Sequence, residues 1–576
     1  MQLLTNHLGY ERFGTKQAVI QTAMPLTITT AQIVCDTSQQ PLLTLPVQTH
    51  GEVDQWHTGL TYLVDFSALQ QCGWFRLQVG EQLSARFQIA DGLLMKQTFS
   101  DVLHYFKSQR CGGKFDQADH QVRLFDSSQT VDAHGGWYDA SGDVSKYLSH
   151  LSYSNYFNPQ QTPLVVWNML TAFSQLSNQP EVAPFPRVRL LEEALHGADF
   201  LCRMQSPQGY FYMTVFDTWS KDTAQREICA YATQNGHKSA QYQAGFRQGG
   251  GMAIAALAAA ARILGSHGTS LGFDTASRAQ YLTAAQQGYW HLVEMNTRYV
   301  DDGVENIIDE YCALLAAVEL YRATDDRRFL TGARRWAGRL AQRQMSDDQY
   351  RYFWSANHDG SRPYFHASDA GLPVLSLLHY LDIEPDHQQQ QTVTTVILQA
   401  LQFELAITAE VTNPFGYPRQ YVKAVEGDKH SSFFIPHHNE TGYWWQGENA
   451  RLASLASMAY QAAALPAFRD LKLPLEIYGQ RLLNWILGLN PFDMSMLDGH
   501  GRNNPDYLPD LGFSNAKGGV CNGITAGFTN ERDIAFNPQP QANDMLQNWR
   551  WGEQWIPHAG WYLLAVTLQY KERQDV

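Results

Sequence analysis

The sequence predicts a two-domain protein in which a small β-sandwich precedes a larger all-α domain. A chain of 576 residues is too long for one ordinary hydrophobic core. Residues 1 to about 90 have the short, alternating apolar runs of strands, whereas from about residue 96 apolar residues recur at helical spacing. We therefore place the two domains at residues 1–92 and 93–576.

The first domain is predicted from short strand patterns between turn residues. The runs KQAVIQTA, LTITTAQIVC, YLVDF and WFRLQV are β-branched or alternating, and Gly, Pro, Asp and Gln-rich turns separate them. This spacing is typical of a small β-sandwich, and helical periodicity is absent.

The second domain is predicted from roughly a dozen amphipathic segments, such as PLVVWNMLTAFSQL, GGGMAIAALAAAARIL and IIDEYCALLAAVELYRAT. Paired helices of similar length permit a closed ring of helical hairpins. The connections 205–246, 409–447 and 490–551 are long and rich in Gly, Trp, His, Asp and Asn. Such connections are usually functional, so we expect a helical scaffold with large loops at one end.

Composition limits the classes of partner. The net charge of −14 comes without a basic run, which argues against nucleic acid and anionic membranes and favours a neutral or cationic small ligand. The start lacks the pattern of a secretory signal, and no window of about 18 apolar residues follows. The seven cysteines are scattered without a CxxC pair. We expect a cytoplasmic protein; the oligomeric state is left open.

Two carboxylates lie in the loop HGGWYDASGD at residues 134–143. Asp139 and Asp143 are four residues apart among glycines that allow close approach to a ligand, so both side chains can address one water molecule. The alternative interpretation is a helix N-cap with an Asx turn.

A third acid, Glu553, lies near the C-terminus in NWRWGEQWIPHAGWYLLAV. A carboxyl group among tryptophans is desolvated, so its pKa rises and it can act as a general acid. The alternative is a glutamate that stabilises the start of the following helix. An acid facing a carboxylate that activates water is the arrangement of inverting glycosidases.

The chain resembles glycoside hydrolase family 9 over nearly its whole length. The similarity rests on five stretches: Asn6–Tyr10, Asp139–Asp143, Leu487–Pro491, Ser495–Gly501, and Glu553 followed by Ile556–Gly560. The resemblance implies an immunoglobulin-like sandwich ahead of an (α/α)6 barrel. It also implies Asp143 as catalytic base, Asp139 as the second water-holding carboxylate and Glu553 as catalytic acid.

The sequence departs from the family pattern at two places. One residue is inserted between Asp139 and Asp143, so the sequence leaves open which of the two is the catalytic base and which holds the water. The family's Pro-His-His-Arg cluster is replaced by the neutral to acidic Asn503–Tyr507. Loop insertions that wall off one end of the cleft favour removal of single sugars. Within the family, the chain resembles cytosolic marine bacterial members that act as exo-β-glucosaminidases or exo-β-glucosidases.

We therefore expect an inverting exo-β-glycosidase that removes β-1,4-linked glucosamine, or glucose, from the non-reducing end of short oligosaccharides. A carboxylate would suit the C2 ammonium of glucosamine. The candidate carboxylates are Asp139, Asp369, Glu440 and Asp506. The alternatives are an endo-β-1,4-glucanase, a non-catalytic carbohydrate-binding protein and a helical-barrel phosphorylase.

The sugar contacts are predicted from aromatic, acidic and histidine side chains in or near the stretches that resemble the family and in the long connections. For Asp369 the alternative is a helix cap. Inversion requires no cofactor, and the spacing of His437, His438 and Glu440 does not match a metal motif, so no metal ligand is predicted and a structural cation is left open. The predicted contacts are Trp137, Tyr138, His366, Asp369, Glu440, Trp444, Trp445, His500, Trp555 and His558.

Overall fold

The computed structural model describes residues 1–179, 182–442, 447–508, 515–529, 531–537, 544 and 547–570. Its N-terminal region is built from ten strands: β1 (Gln2–Leu4), β2 (Gly9–Glu11), β3 (Gln17–Thr22), β4 (Thr30–Cys35), β5 (Pro41–Pro46), β6 (Gln48–Glu52), β7 (Leu60–Asp65), β8 (Gly73–Val79), β9 (Gln82–Leu83) and β10 (Phe87–Ala90).

These strands form two sheets, in the orders β1-β3-β7-β6 and β2-β10-β8-β4-β5, with β9 beside β8. The neighbours pair antiparallel except β2 and β10, which are parallel. Inward-facing side chains such as Tyr10, Ile33 and Phe87 form one buried core between the sheets. The predicted β-sandwich is confirmed.

Among the described residues, fourteen α-helices follow: α1 (Leu93–Gln109), α2 (Gly113–Asp119), α3 (Thr162–Ser177), α4 (Pro184–Arg203), α5 (Gly251–Ile263), α6 (Ser277–Tyr299), α7 (Ile307–Thr324), α8 (Arg327–Ala341), α9 (Leu372–Ile383), α10 (His387–Thr408), α11 (Asn449–Ala463), α12 (Lys472–Ile486), α13 (Trp549–Gly552) and α14 (Ile556–Gln569).

The long helices form an inner and an outer ring. Helices α3, α5, α7, α9, α11 and α14 each pack on the next, and α14 packs back on α3 to close the inner ring. Helices α4, α6, α8, α10, α12 and α1 cover them from outside. This arrangement is an (α/α)6 barrel, as the resemblance implies.

Residue composition explains which helices lie inside. Inner helix α5 reads GMAIAALAAAARI and is buried on all sides, because small alanines let neighbouring helices approach closely. The helical run Phe246–Leu271 around it has the length and hydropathy of a membrane span, but 83% of its apolar window is buried inside this protein. Outer helix α8 instead alternates buried Phe329 and Trp336 with exposed arginines.

Short strands organise the long connections: β11 (Val122–Leu124), β12 (Thr130–Val131), β13 (Lys146–Tyr147), β14 (Phe211–Tyr212), β15 (Thr214–Phe216), β16 (Glu227–Ala232), β17 (His237–Ser239), β18 (Gln243–Ala244), β19 (Gln344–Met345), β20 (Phe353–Trp354), β21 (Gln420–Val422), β22 (His430–Ser432), β23 (Thr525–Ala526) and β24 (Ile534–Ala535).

The segment 205–246, which the sequence predicts as an irregular loop, supplies strands β15 and β16 of the sheet β12-β11-β16-β15-β13 and the strand β17 that pairs with β16. Most of its strands are two or three residues long, so the alternation of apolar and polar residues that identifies a strand cannot be seen in the sequence. Strand β13 follows directly after the loop with the two aspartates, so this sheet positions that loop.

Candidate active site

Backbone pairing joins the loop with the two aspartates to the segment after Glu553. Ala140 and Trp555 form an antiparallel bridge. The Ser141 N–H donates to the Gln554 carbonyl oxygen at 2.9 Å, and the Ile556 N–H donates to the Asp139 carbonyl oxygen at 3.1 Å. Segments more than 400 residues apart in sequence are thereby fixed side by side.

Glu553 lies directly after α13 and is partly buried. Burial raises its pKa to about 8, the negative charge of Asp143 adds to the rise, and hydrogen bonds from Gly142 and Tyr507 oppose it. A Cβ on Gly142 would lie only 2.5 Å from Glu553 Oε1, so glycine is required for this close approach. Glu553 is therefore protonated at neutral pH, as a general acid must be.

Asp143 is held by three donors. Its Oδ2 accepts the Tyr147 hydroxyl at 2.7 Å and Trp219 Nε1 at 3.1 Å, and its Oδ1 accepts the Ser145 N–H at 2.8 Å. The side chain is buried and its orientation is fixed from both oxygens. This geometry suits a base that must aim one lone pair at a water molecule.

Asp139 is buried against the indole of Trp555, whose Nε1 donates to its two oxygens at 3.2 and 3.1 Å. Burial raises the pKa of Asp139 well above its usual range, and the charges of Asp143 and Glu553 raise it further. Because like charges in one site repel, the three acids do not all ionise together at neutral pH.

Sequence reasoning predicted a functional connection at residues 205–246 but missed Trp219 and Lys221, which lie in its turn after β15. Thr218, Trp219 and Lys221 have left-handed φ angles of 59°, 57° and 57°, which is strained backbone for residues other than glycine. The buried Asp217 holds this turn by accepting the Lys221 N–H at 2.9 Å. The turn aims Trp219 at Asp143. The sequence feature that could have indicated these residues is a tryptophan close to a lysine within a predicted functional loop.

Lys221 also brings a positive charge to the acids. Burial lowers the pKa of Lys221, whereas the negative charges of Asp143, Glu553 and Asp217 raise it in opposition. The lysine charge in turn lowers the pKa of Glu553.

A buried ionic cluster lies beneath the aspartate loop. Lys146 Nζ and Arg226 Nη2 each approach Asp119 Oδ2 at 2.7 Å. Lys146 Nζ also donates to the carbonyl oxygens of Ala133 and Gly135 at 2.6 and 2.9 Å. Arg226 Nη1 donates to the carbonyl oxygen of Val144 at 2.9 Å, so the cluster ties down the loop on both sides of the aspartates.

Trp137 is not a sugar contact. Its ring has no exposed surface, its Nε1 donates to Glu193 Oε1 at 2.8 Å, and the ring packs edge-on against Phe106. The expectation is corrected because successive side chains of this loop point to opposite sides, which sends Trp137 into the core and Tyr138 outward. Tyr138 is partly exposed and its hydroxyl bonds the backbone of Gly112.

His366 and Asp369 are buried structural groups, which corrects their prediction as sugar contacts. His366 Nδ1 accepts the N–H groups of Ser368 and Asp369 at 3.1 and 2.9 Å. Asp369 accepts the Gln160 N–H at 2.8 Å and Trp561 Nε1 at 3.2 Å. Burial lowers the pKa of His366 to about 3 and raises that of Asp369 to about 6. They shape the turn before α9.

The two other histidines that were predicted to contact sugar, His558 and His500, both contact groups of the protein itself. His558 is 1% exposed, its Nδ1 accepts the Ala450 N–H at 2.7 Å, and its Nε2 lies 2.9 Å from Asn522 Oδ1, which corrects its prediction as a hydroxyl contact. His500 is partly buried, with Nε2 2.8 Å from Asp101 Oδ2.

Glu440 is ion-paired with Arg362, whose guanidinium lies 4.1 Å from the centre of the Phe365 ring. Trp555 is the one predicted aromatic contact that touches a carboxylate of the site among the described residues. Trp444 and Trp445 lie outside the described residues.

One group of side chains in the described ranges is compact enough to ligate a metal ion. The ligand atoms of His120, Asp132 and His134 lie within 4.8 Å of one another near the surface. His134 Nδ1 lies 2.6 Å from Asp132 Oδ1, and the two histidine rings stack, so these contacts by themselves account for the cluster.

Comparison with known proteins decides the family. The family model for glycosyl hydrolase family 9 matches residues 96–520. The chain belongs to glycosyl hydrolase family 9. This family 9 enzyme is a glycoside hydrolase, and the family cleaves with inversion at the anomeric carbon. No curated protein sequence matches the chain.

Solved structures share the fold of this family 9 enzyme along its whole length. A metagenome-derived family 9 endoglucanase is 18% identical with a TM-score of 0.67, covering 99% of both chains. An Alicyclobacillus acidocaldarius endoglucanase variant is 16% identical with a TM-score of 0.64, covering 99% of this chain and 100% of its own. AaCel9A in complex with cellobiose-like isofagomine is 17% identical with a TM-score of 0.64, covering 98% and 99%.

Proposed function

We propose that this family 9 enzyme is an exo-acting β-glycosidase that removes β-1,4-linked glucosamine, or glucose, from the non-reducing end of short oligosaccharides. The observation that carries the hydrolytic assignment is the pairing of a protonated Glu553 with the firmly oriented Asp143 in one site.

In the proposed reaction Glu553 donates its proton to the glycosidic oxygen as the bond from that oxygen to C1 breaks. Asp143 takes a proton from the water that attacks C1 from the opposite face, and Asp139 holds the same water. The released sugar is the α-anomer. The family's inverting geometry needs about 6.5–9.5 Å between acid and base to admit that water.

An excess of acids supports a cationic sugar. Asp139, Asp143, Asp217 and Glu553 lie together in the site, where the charge of Lys221 acts on Glu553 and that of Arg226 acts on Asp217. The C2 ammonium of glucosamine would offset part of the resulting repulsion.

The contacts that the protein makes with the candidate carboxylates indicate which of them could pair with the C2 ammonium group of glucosamine. Asp369 and Glu440 already receive donors or a cation from the protein. The side-chain carboxyl group of Asp139 accepts only the Trp555 indole N–H among the described residues, so it can still accept hydrogen bonds from an ammonium group.

The exo mode is supported by side chains that occupy space beside the acids: the Trp219 indole donates to Asp143 and the Tyr507 hydroxyl donates to Glu553. A cytoplasmic location is part of the same proposal and is supported by seven free cysteines, the state expected in a reducing compartment. Cell fractionation with an antibody to the protein tests the location.

The second candidate is an endo-β-1,4-glucanase. Two of the three solved structures described above are named endoglucanases, and the family fold is shared along the whole chain. An endo enzyme would cleave within long glucans and need a cleft open at both ends.

Product analysis separates the candidates. Purified protein is incubated with cellobiose, chitosan disaccharide and diacetylchitobiose, and the anomer of each product is read by proton NMR. We expect the chitosan disaccharide to disappear fastest with the α-anomer formed first. Release of the β-anomer would exclude the mechanism, and a requirement for phosphate would indicate a phosphorylase.

Carboxymethylcellulose provides the second measurement. An exo enzyme releases reducing ends with little loss of viscosity, whereas a rapid drop in viscosity would establish the endo candidate in place of our proposal.

A further inference from the structure

A pocket of about 440 Å³ lies between the N-terminal sandwich and the outer helices of the barrel, apart from the acids of the active site. Strand β6 contributes His50, helix α10 contributes Leu405, and helix α12 contributes Ile477 and Arg481. Its volume is in the range of small-molecule sites, which is about 300–1,000 Å³. The side chains that line it include no carboxylate.

Arg481 brings a positive charge to this pocket without an ion-pair partner among the described residues. Its Nε donates to Gln17 Oε1 at 2.9 Å, which leaves its two terminal amino groups without a described protein acceptor. The charge of Asp65 acts on it from a distance, but that carboxylate already accepts Gln17 Nε2 at 3.0 Å and the Ser67 N–H at 2.9 Å. Burial lowers the pKa of Arg481, so the guanidinium is incompletely solvated.

Further polar side-chain atoms that line the pocket lack hydrogen-bond partners. Asn413 Oδ1 accepts the Phe415 N–H at 3.0 Å, which fixes the amide so that Nδ2 is the free donor, and that atom is buried without an acceptor. His50 Nδ1 is buried without a partner as well. Buried donors without acceptors are costly, so a ligand that accepts from them is stabilised.

The backbone holds the arginine in place. Gly416 has a φ of 69°, and a Cβ there would lie 2.4 Å from Arg481 Cδ. Only glycine lets this turn lie against the arginine stem, which limits its motion before a ligand arrives.

We propose that this pocket binds a small molecule bearing an oxyanion. Arg481 and Asn413 Nδ2 hold the carboxylate or phosphate oxygens, His50 lies beside them, and Leu405 and Ile477 contact a body of monosaccharide size. Because the ligand contacts both the sandwich and the barrel, its binding stabilises the folded chain.

The test measures binding by isothermal titration calorimetry and the melting temperature at constant ionic strength balanced with NaCl. The probes are inorganic phosphate, acetate and a hexose 6-phosphate, which separate phosphate from carboxylate recognition and from recognition of the sugar body. We expect saturable binding by at least one probe and a matching rise in melting temperature.

Arg481→Met should remove the saturable binding while kcat/KM on a disaccharide stays within about twofold. The matched control is Arg328→Met, which removes an exposed arginine paired with Asp326 and should bind like the wild type. Where Arg481→Met fails to fold, Asn413→Ala should still weaken binding about tenfold, the effect of one hydrogen bond to a charged group.

The proposal is overturned if phosphate and acetate raise the melting temperature without saturation, because that is the general effect of salts excluded from the protein surface. It is also overturned if Arg481→Met and Asn413→Ala bind the probes as the wild type does.

Discussion

At the scale of single residues, the site depends on how the surroundings of three carboxyl groups differ. Glu553 is desolvated and faces another acid, which keeps its proton near neutral pH. Asp143 has three donors that fix its oxygens. Under the proposed mechanism these equivalent chemical groups have opposite roles, and each role can be tested by one substitution.

Glu553→Gln should lower kcat/KM on a disaccharide by about 10³, because general acid catalysis contributes about 10²–10⁴. On a 2,4-dinitrophenyl glycoside, whose leaving group needs no proton, the same variant should lose far less. Asp143→Asn is the matched comparison and should lose activity on both substrates. An equal loss on both substrates for Glu553→Gln would contradict its role as the acid.

The pH profile should reflect the raised pKa of Glu553. With cellobiose or another uncharged disaccharide, kcat/KM should fall as pH rises through about 8, because Glu553 loses the proton that it must donate.

Stability should follow the same shift. The pKa of Glu553 is higher in the folded chain than in the unfolded chain, so the folded state loses stability as pH rises from about 4.5 to about 8. Glu553→Gln should therefore melt above the wild type at pH 8 and lose that advantage towards pH 5. Calorimetry at both values checks this, and an unchanged difference would show that Glu553 does not titrate in this range.

Trp219→Phe should keep an aromatic ring at this position but remove the Nε1–H that donates to Asp143. We expect kcat to fall about tenfold with little change in KM or melting temperature, because one hydrogen bond to a charged group is worth about 1.5–3 kcal/mol. Trp290→Phe, at an exposed position of α6, is the control. Unchanged kcat in Trp219→Phe would mean that Tyr147 and Ser145 suffice to orient Asp143.

At the scale of elements, the aspartate loop is held from three directions. The Trp555 segment pairs with it, the β13–β15–β16 sheet continues from it, and the Lys146–Asp119–Arg226 cluster ties its two ends. Lys146 is thus a positioning residue, since it acts on the acids through the backbone and does not reach the reacting atoms.

Lys146→Met should cost about 3–5 kcal/mol, because it removes one partner from a buried ion cluster and leaves the Ala133 and Gly135 carbonyl oxygens unpaired. It should also shift the descending limb of the pH profile, since Glu553 and Asp143 would no longer keep their spacing. Lys429→Met, which breaks a partly exposed pair with Asp347, should leave both properties nearly unchanged.

A merely structural role for Lys146 predicts another outcome, in which the melting temperature falls while the pH profile stays the same. If Lys146→Met does not fold, Arg226→Lys keeps the charge beside Asp119 but loses the paired geometry, and the same two measurements apply.

At the scale of the whole molecule, the sandwich and the barrel share a core. Leu4, Leu8, Val53 and Trp56 from the sandwich region belong to the same buried cluster as the barrel helices. Trp56 is 3% exposed, and its ring lies 4.7 Å from Phe433 and 5.8 Å from Trp485. The two domains are therefore expected to unfold together.

Trp56→Ala should lower the free energy of unfolding by about 3–5 kcal/mol, the usual cost of emptying a buried tryptophan site. Calorimetry should show a single transition in both the wild type and the variant. Trp74→Ala, on the exposed face of β8, is the control and should melt close to the wild type. Two separate transitions in the wild type would show that the shared core does not couple the domains.

Local patterns in the sequence were sufficient for the class of fold, and they drew attention to three acids whose roles the family resemblance then implied. Strand alternation and helical spacing follow from backbone geometry, so a sandwich and an all-α domain could be predicted from residue order, whereas the closed (α/α)6 ring was implied by the family resemblance. Asp139, Asp143 and Glu553 stood out because acids among glycines and tryptophans are a local feature of composition.

The direction in which each side chain points was decided by the tertiary structure. Trp137, His366, Asp369 and His558 resemble sugar contacts in sequence, but packing turns them into the core, where burial and backbone donors occupy them. Trp219 and Lys146 gain their importance from strands that bring distant loops together. Contacts across more than 400 residues depend on closure of the barrel, and no local pattern encodes that distance.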